Sequence, residues 1–364
     1  MPQSKPTLRD IARSLGVSTT TVHRALNGKE GVGDKKIAEI RNAAARMGYK
    51  TNYMASALKR REVKIAVAFP EPSADNRYYY LSLWQGIRRF FGEVAEFNAV
   101  PEEFYYPLFP GSNGIALKEI YDTQTDEISG LITVAVNDSQ SLYFIEAHSN
   151  KGIPVVLIGA SLSADHRLCC VKSYDELAGS LAAELICAFY PGRFDGKVLL
   201  TGNPTGDAAM VDQYYNITGF EQYLAKHAPD ATLLTAFNAD ANVSAKLVQS
   251  LLSEHPDTYA IYASSARHTI SISHLLESHA LAGEIKLIGN DYFAESADFL
   301  SKGALTAIID KKIAQQSYKA AQLLFNYVIK GNYPPAKTVY IEPAIILRSG
   351  AAYIKSDSNF SEFN

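Results

Sequence analysis

Apolar residues first recur at helical spacing at Leu8, Ile11, Ala12 and Leu15. These positions share one face of a helix. Thr7 precedes them with Asp10 three residues on, a variant of the capping box. Gly16 is a natural stop, because glycine enters the left-handed conformation at little cost. Ser18 can cap a second helix whose Val22 and Leu26 point inward, and Asn27-Gly28 ends it. A third helix is expected from about Asp34 to Met47, with Ile37, Ile40, Ala44 and Met47 as its inward stripe and Gly48 as its stop. Gly33 offers no side-chain cap, so that helix should start weakly.

Beyond residue 62 the period changes. Short β-rich runs are expected at Lys64–Pro70, Glu102–Tyr106, Gly130–Ala135, Pro154–Gly159 and Cys169–Lys172. Five more follow at Lys197–Thr201, Thr232–Phe237, Tyr259–Ala263, Lys286–Gly289 and Thr306–Asp310. Helical patterns such as Leu83–Glu96, Glu176–Phe189 and Ile313–Ile329 lie between most of them. Strands alternating with helices predict βαβ units on parallel sheets, and this length allows two Rossmann-like lobes.

The first two helices, joined by a short turn around Gly16, form a helix-turn-helix pattern, whose second helix is the one that enters the DNA major groove. Charge agrees with this. Residues 1–61 hold 13 Lys or Arg against four acids, leaving 22 basic and 34 acidic residues in the remainder, so a basic head sits on an acidic body. A basic segment with helical patterning is an electrostatic footprint for a phosphate backbone.

The ordered run Leu8-Arg-Asp10-Ile11-Ala12, Gly16-Val17-Ser18, Thr21-Val22, Arg24, Leu26-Asn27-Gly28, Gly48-Tyr49 and Ala55-Ser-Ala-Leu58 strongly resembles the LacI family of bacterial regulators. The resemblance extends over nearly the whole chain. It implies a multi-domain protein: an all-α helix-turn-helix headpiece (1–50), a hinge helix and linker (51–62), a periplasmic-binding-protein-like α/β core (63–350) and a polar tail (351–364). It places an N-lobe at about 63–160 and 292–310 and a C-lobe at about 163–290 and 313–350. The crossings between lobes are then expected near Gly159–Ser163, Asn290–Tyr292 and Asp310–Lys312.

The resemblance also assigns roles. Thr19 and Thr20 fall where the family reads base edges, and short hydroxyl side chains with a methyl suit that task. Arg24 reads a base or clamps a phosphate; both readings stay open. Thr7, Ser18, Thr21, His23 and Asn27 are placed against the DNA backbone, with His23 standing where a Ser is common. Ala55, Leu58 and Lys59 match the hinge that enters the minor groove, with Leu58 as the wedge that unstacks a base step. Thr51 replaces a common Pro, and so short a hinge helix should fold only on DNA.

In the core, Asp291 matches the family's hydroxyl-binding acid. Asn216 stands where many relatives carry an Arg, Ser264-Ser265 replaces an Asn-Asp, and Gly159 replaces an acid. Loss of the Arg argues against a bidentately clamped carboxylate. Tyr78, Tyr80, Trp84, Asn137, Ser264, Asn216 and Asp291 are the expected effector contacts. For Trp84, packing in a helix core is as good a reading. The expected effector is a sugar, polyol or sugar derivative; a nucleobase is the alternative.

Other classes are expected to fail. No apolar run is long enough for a membrane span, and the N-terminus lacks a secretory h-region. Cys169, Cys170 and Cys187 fit reduced thiols in a cytoplasmic protein. No Walker A, no G-x-S-x-G and no metal-spaced His pair occur, so an enzyme, a metal and a cofactor are all unexpected. A sugar-binding transport protein would share the core but not the headpiece. The expected partners are a pseudo-palindromic double-stranded DNA operator, a small-molecule effector and a second copy of the chain, with no membrane.

Overall fold

The structure is a computed structural model that describes residues 6–26, 31–47, 62–74, 76–159, 166–203 and 213–356. The headpiece holds α1 (Leu8–Leu15), α2 (Thr19–Leu26) and α3 (Asp34–Arg46). At the start of α1 the Thr7 amide and hydroxyl donate to Asp10 Oδ2 at 2.8 and 2.6 Å, closing the expected capping box. Gly16 ends the helix at φ 61°. Ile11, Ala12, Val22, Ala25, Ile40, Ala43 and Ala44 close a small core between the three helices. Gly33 starts α3 without a side-chain bond, as its missing side chain requires.

The core follows in the order β1 (Val63–Pro70), α4 (Arg77–Glu93), β2 (Ala99–Tyr106), α5 (Ser112–Gln124), β3 (Ile128–Val134), α6 (Ser139–Asn150), β4 (Val155–Ile158) and β5 (Cys169–Ser173). Then come α7 (Asp175–Phe189), β6 (Lys197–Gly202), α8 (Gln213–His227), β7 (Thr232–Phe237), α9 (Ala241–Glu254), β8 (Thr258–Ala263), α10 (Ala266–Ser278) and β9 (Lys286–Asn290). The chain ends with α11 (Ala294–Lys302), β10 (Ala307–Asp310), α12 (Ile313–Lys330), β11 (Thr338–Ile341), β12 (Ala344–Ile346) and α13 (Arg348–Ser356).

Two six-stranded sheets result, ordered β11-β5-β4-β3-β1-β2 and β12-β10-β9-β8-β6-β7. Among the described residues every strand pairing is parallel except β12 on β10. Both faces of each sheet are covered, which is why the strands read as apolar runs. In β1, Ile65, Val67 and Phe69 join the core under α4 and α12, while Ala66 and Ala68 join the one under α5 and α6. In the second sheet α7 and α8 cover one face and α9, α10 and α11 the other.

The lobe boundaries expected from sequence need correction. Among the described residues the chain crosses between Ser173 and Asp175, between Asp310 and Ile313, and between Ile341 and Ala344. Only the crossing expected at Asp310–Lys312 falls where it was placed. β5 pairs with β4 in the first sheet, with ten residues between them. β10 pairs with β9 in the second sheet, and α12 returns to pack on α4. Among the described residues the N-lobe therefore holds those of 63–173 and 313–341, and the C-lobe those of 175–310 and 344–356.

Glycines set the closest helix approaches. A Cβ on Gly86 of α4 would stand 2.1 Å from the Ala314 carbonyl of α12. A Cβ on Gly179 of α7 would stand 1.7 Å from the Asn216 carbonyl of α8. Each lobe thus has a helix pair whose backbones nearly touch.

Candidate functional site

The surface of α2 is set by its buried side. Val22 and Ala25 turn inward, leaving Thr19, Thr20 and Arg24 exposed together. The Thr21 amide donates to Ser18 Oγ at 3.0 Å, and their hydroxyls lie 2.8 Å apart, so both are engaged in capping the helix. The Thr7 hydroxyl is likewise held by Asp10. The Arg24 guanidinium lies over Gly31, 3.3 Å from where a Cβ would stand. Asn27, Ala55, Leu58 and Lys59, and the side chain of His23, lie outside the described residues.

In the core, strand ends from both lobes meet. Asp291 follows β9 in the left-handed conformation, φ 64°, with its amide donating to the Ile309 carbonyl at 2.9 Å. Such a backbone is uncommon for a non-glycine residue and survives where its surroundings fix it. Its Oδ2 lies 3.8 Å from Lys311 Nζ, and the two side chains are 11% and 12% exposed. Oδ1 has no partner among the described residues. Burial lifts the Asp291 carboxyl above its ordinary range, and Lys311 works against that lift. Burial disfavours the Lys311 ammonium, but Asp291, Asp175 and Asp310 outweigh it and hold that group above its usual value. Asp310 is pushed up to about 6, chiefly by burial.

Tyr79 reaches toward the same place. Its hydroxyl is 2.9 Å from where a Cβ on Gly159 would stand. Burial, then the nearby Tyr80, Asp175 and Asp291, raise it well above an ordinary phenol. Gly159 has φ 96°, so a glycine both permits the turn and leaves room for that ring.

On the C-lobe side Asn216 is buried, and its Nδ2 donates to the Ser264 carbonyl at 2.7 Å. Asn290 Nδ2 donates to the Tyr262 hydroxyl at 3.0 Å and to the Ala263 carbonyl at 2.8 Å. The Oδ1 atoms of Asn216 and Asn290 lack partners among the described residues. The segments 160–165 and 204–212, which follow β4 and β6, lie outside those residues.

Two expected effector contacts are corrected. Trp84 is fully buried, stacked on Tyr105 at 4.4 Å and edge-on to Phe69 at 5.0 Å, with Nε1 donating to the Pro70 carbonyl at 3.4 Å. It is helix core. Tyr80 is buried in the same apolar cluster. Of the consecutive tyrosines, 78 and 79 face the lobe junction. The Tyr78 ring lies 4.5 Å from that of Phe293 in the C-lobe. Asn137 is exposed after β3, and Ser264 is buried beside Gly202.

Sequence reasoning missed Lys311, Tyr79 and the pair Arg77–Glu295, which joins the lobes at 2.7 Å. Asp310-Lys311-Lys312, three charges running from the last residue of an apolar strand, was the signal that could have found the first. A cavity of about 450 Å³ also opens at the junction, and Tyr78 and Asp291 are among its walls.

No helix among the described residues is long and apolar enough to cross a membrane. The family of bacterial regulatory proteins of lacI type matches residues 7–52, and the periplasmic binding protein domain matches residues 118–332. The chain is 26% identical over 164 residues to the transcriptional regulator KdgR of Bacillus subtilis (strain 168), a match spanning 43% of each chain. That match covers less than half of the relative's length. The chain is 24% identical over 296 residues to the ribose operon repressor of the same organism, spanning 80% of this chain and 82% of that one. In fold it is similar to a periplasmic ribose ABC transporter protein from Conexibacter woesei DSM 14684, with TM-score 0.70 at 16% identity, covering 83% of this chain and 97% of the other. With its helix-turn-helix headpiece ahead of a bilobed periplasmic-binding-protein core, the chain belongs to the LacI family of DNA-binding transcriptional regulators.

Proposed function

We propose that the chain is a cytoplasmic repressor, without catalytic activity, that reads a pseudo-palindromic operator as a homodimer and releases or grips it according to a small molecule held between the lobes. Thr19, Thr20 and Arg24 are assigned to base edges, with Thr7, Ser18, Thr21, His23 and Asn27 along the backbone. The two lobes supply the two-state element. Effector in the cleft changes the angle between them, and in a dimer that angle sets the spacing of the two hinge segments.

The observation that carries the effector reading is Asp291: buried, at the carboxyl end of a strand where the lobes meet, with one oxygen lacking a partner among the described residues. Ligands of open α/β folds bind at such strand ends. A neutral sugar or polyol would supply a hydroxyl donor to Oδ1. Similarity to a ribose operon repressor supports the same class. With Trp84 and Tyr80 in the core, the nucleobase alternative loses two of its aromatic surfaces.

A thermal-shift screen against sugars, polyols, sugar acids, sugar phosphates and purines tests this, since a ligand of the folded state raises apparent stability. Neutral polyhydroxyl compounds should stabilise the wild type and not Asp291→Ala. Stabilisation by purines alone, or equal shifts in both proteins, would remove the reading. In parallel, selection of bound sequences from a random DNA pool should return inverted half-sites.

A further inference from the structure

The cavity of about 450 Å³ is not the floor of the interlobe cleft. Tyr79, Gly159, Asn216 and Ser264 are absent from its walls. It runs instead from the junction along the groove between α4 and α12 of the N-lobe. Gly86 lets those helices touch, and the space opens beside that contact. At one end it meets the C-lobe, where Asp291, Tyr292 and Asp310 complete the wall.

Neutral polar side chains line much of the groove. Ser82 and Gln85 from α4 face Gln315 and Gln322 from α12, with the rings of Tyr78 and Tyr318 among them. The cations of the walls have neighbours of their own: Arg89 pairs with Glu93 at 3.0 Å, Lys319 donates to Gln322 at 2.8 Å, and Lys312 adjoins Asp310, whose Oδ1 accepts the Lys312 backbone amide at 2.9 Å. Asp291 is 8% exposed and keeps a carboxylate oxygen without a partner among the described residues. Amides and phenol rings, with the carboxyl groups of Asp291 and Asp310 at the C-lobe end, supply the donors and acceptors that suit a neutral, hydroxyl-rich ring. The volume lies within the roughly 300–1,000 Å³ of small-molecule pockets.

We propose that this cavity is a second, regulatory ligand site for a neutral polyhydroxyl ring compound, separate from the interlobe cleft and coupled to it. The coupling follows from the walls. Tyr78 and the glutamines move with the N-lobe, while Asp291, Tyr292 and Asp310 move with the C-lobe. An occupant that touches both favours one lobe angle, and a ligand shifts an equilibrium only through such differential contact. Asp291 belongs to both sites, so occupancy of one is felt at the other.

A covalent stand-in tests the site without knowing its ligand. In a Cys187→Ser background, in which Cys169 and Cys170 are fully buried, Ser82→Cys and Gln85→Cys are made separately. Each full-length protein is labelled with a glucosyl methanethiosulfonate. A sulfonatoethyl reagent serves as the anionic comparison, and exposed Glu119→Cys on α5 as the positional control. The glucosyl label at either cavity position should slow amide hydrogen exchange across residues 288–293 and 307–313 by about fivefold or more, the low end of coupling between sites. The control and the anionic label should leave that exchange unchanged. Complete labelling with unchanged exchange would overturn the proposal. Equal slowing by the anionic label would overturn the ligand class. Cysteines that stay blocked in the folded protein would show that another copy of the chain, not a small molecule, covers the groove.

Discussion

Arg77 at the start of α4 donates to Glu295 in the first turn of α11 at 2.7 Å, tying the N-lobe to the C-lobe across the mouth of the junction. The guanidinium also lies 4.2 Å from the Tyr78 ring centroid, and that ring meets Phe293. Each partner of the ion pair is about two-fifths exposed, at 38% and 42%. Such pairs contribute at most about 1 kcal/mol. The expected effect of Glu295→Gln is therefore on the lobe equilibrium more than on folding. Urea denaturation should shift by less than about 1 kcal/mol, while apparent effector affinity falls by up to about fivefold as the closed population drops. An unchanged affinity by calorimetry would mean that this ion pair does not bias the lobes.

The close approach at Gly179 makes a stronger demand. The Asn216 carbonyl lies 1.7 Å from where a Cβ on Gly179 would stand, and the Glu176 carbonyl 2.0 Å from one on Gly219, so α7 and α8 have no room to separate cheaply. Gly179→Ala should destabilise the core by about 1–3 kcal/mol, the usual cost of overpacking. It should also displace Asn216 and so disturb the Ser264 strand end. Denaturation midpoints that match wild type would contradict the close approach.

Such particulars mark what the sequence could and could not disclose. All ten strands expected from β-rich runs exist; most are apolar runs between two covered faces, while Glu102–Tyr106 lies on the half-buried edge strand β2. β11 and β12 were not foreseen: they are four and three residues long and are separated by Glu342-Pro343. Missing them hid the last crossing. The first crossing was misplaced because parallel neighbours usually need a long connection with a helix between them, and only ten residues separate β4 from β5, which nevertheless pairs with it. Asp291 was legible because a position can be matched residue by residue. Trp84 was not, because an aromatic at helical spacing fits a core and a cleft equally well until a neighbour such as Tyr105 is placed on it.

The Asp310 carboxyl gives the core a pH dependence of definite sign. Its ordinary pKa is 3.8 and burial lifts it to about 6 in the folded chain. The folded state therefore holds this proton more tightly than the unfolded state. The group's contribution is fully present below about 3.8 and is lost as pH rises through about 6. The facing charges are Asp291, Lys311, Lys312 and, through Lys311, Asp175. At neutral pH the loss is at most about 3 kcal/mol. Asp310→Asn should flatten the stability profile between these values and be relatively more stable at pH 7 than at pH 4. Parallel profiles for the two proteins would assign the slope to other groups.

On α2 the two readings of Arg24 lead to different numbers. If the guanidinium meets guanine, Arg24→Ala relaxes preference at one base position in each half-site by about 1–3 kcal/mol. If it meets phosphate, all sequences weaken alike and the salt slope falls by about one per half-site. Its position over Gly31, beside the exposed Thr20, keeps both within reach. Thr20 carries no charge, so Thr20→Ala should leave the salt slope unchanged and relax one base position by about 1 kcal/mol. Filter binding across salt, on the selected operator and on single-base variants, separates these outcomes. A Thr20→Ala protein with wild-type preference at every position would remove that residue from the reading surface and shift the burden to Thr19 and Arg24.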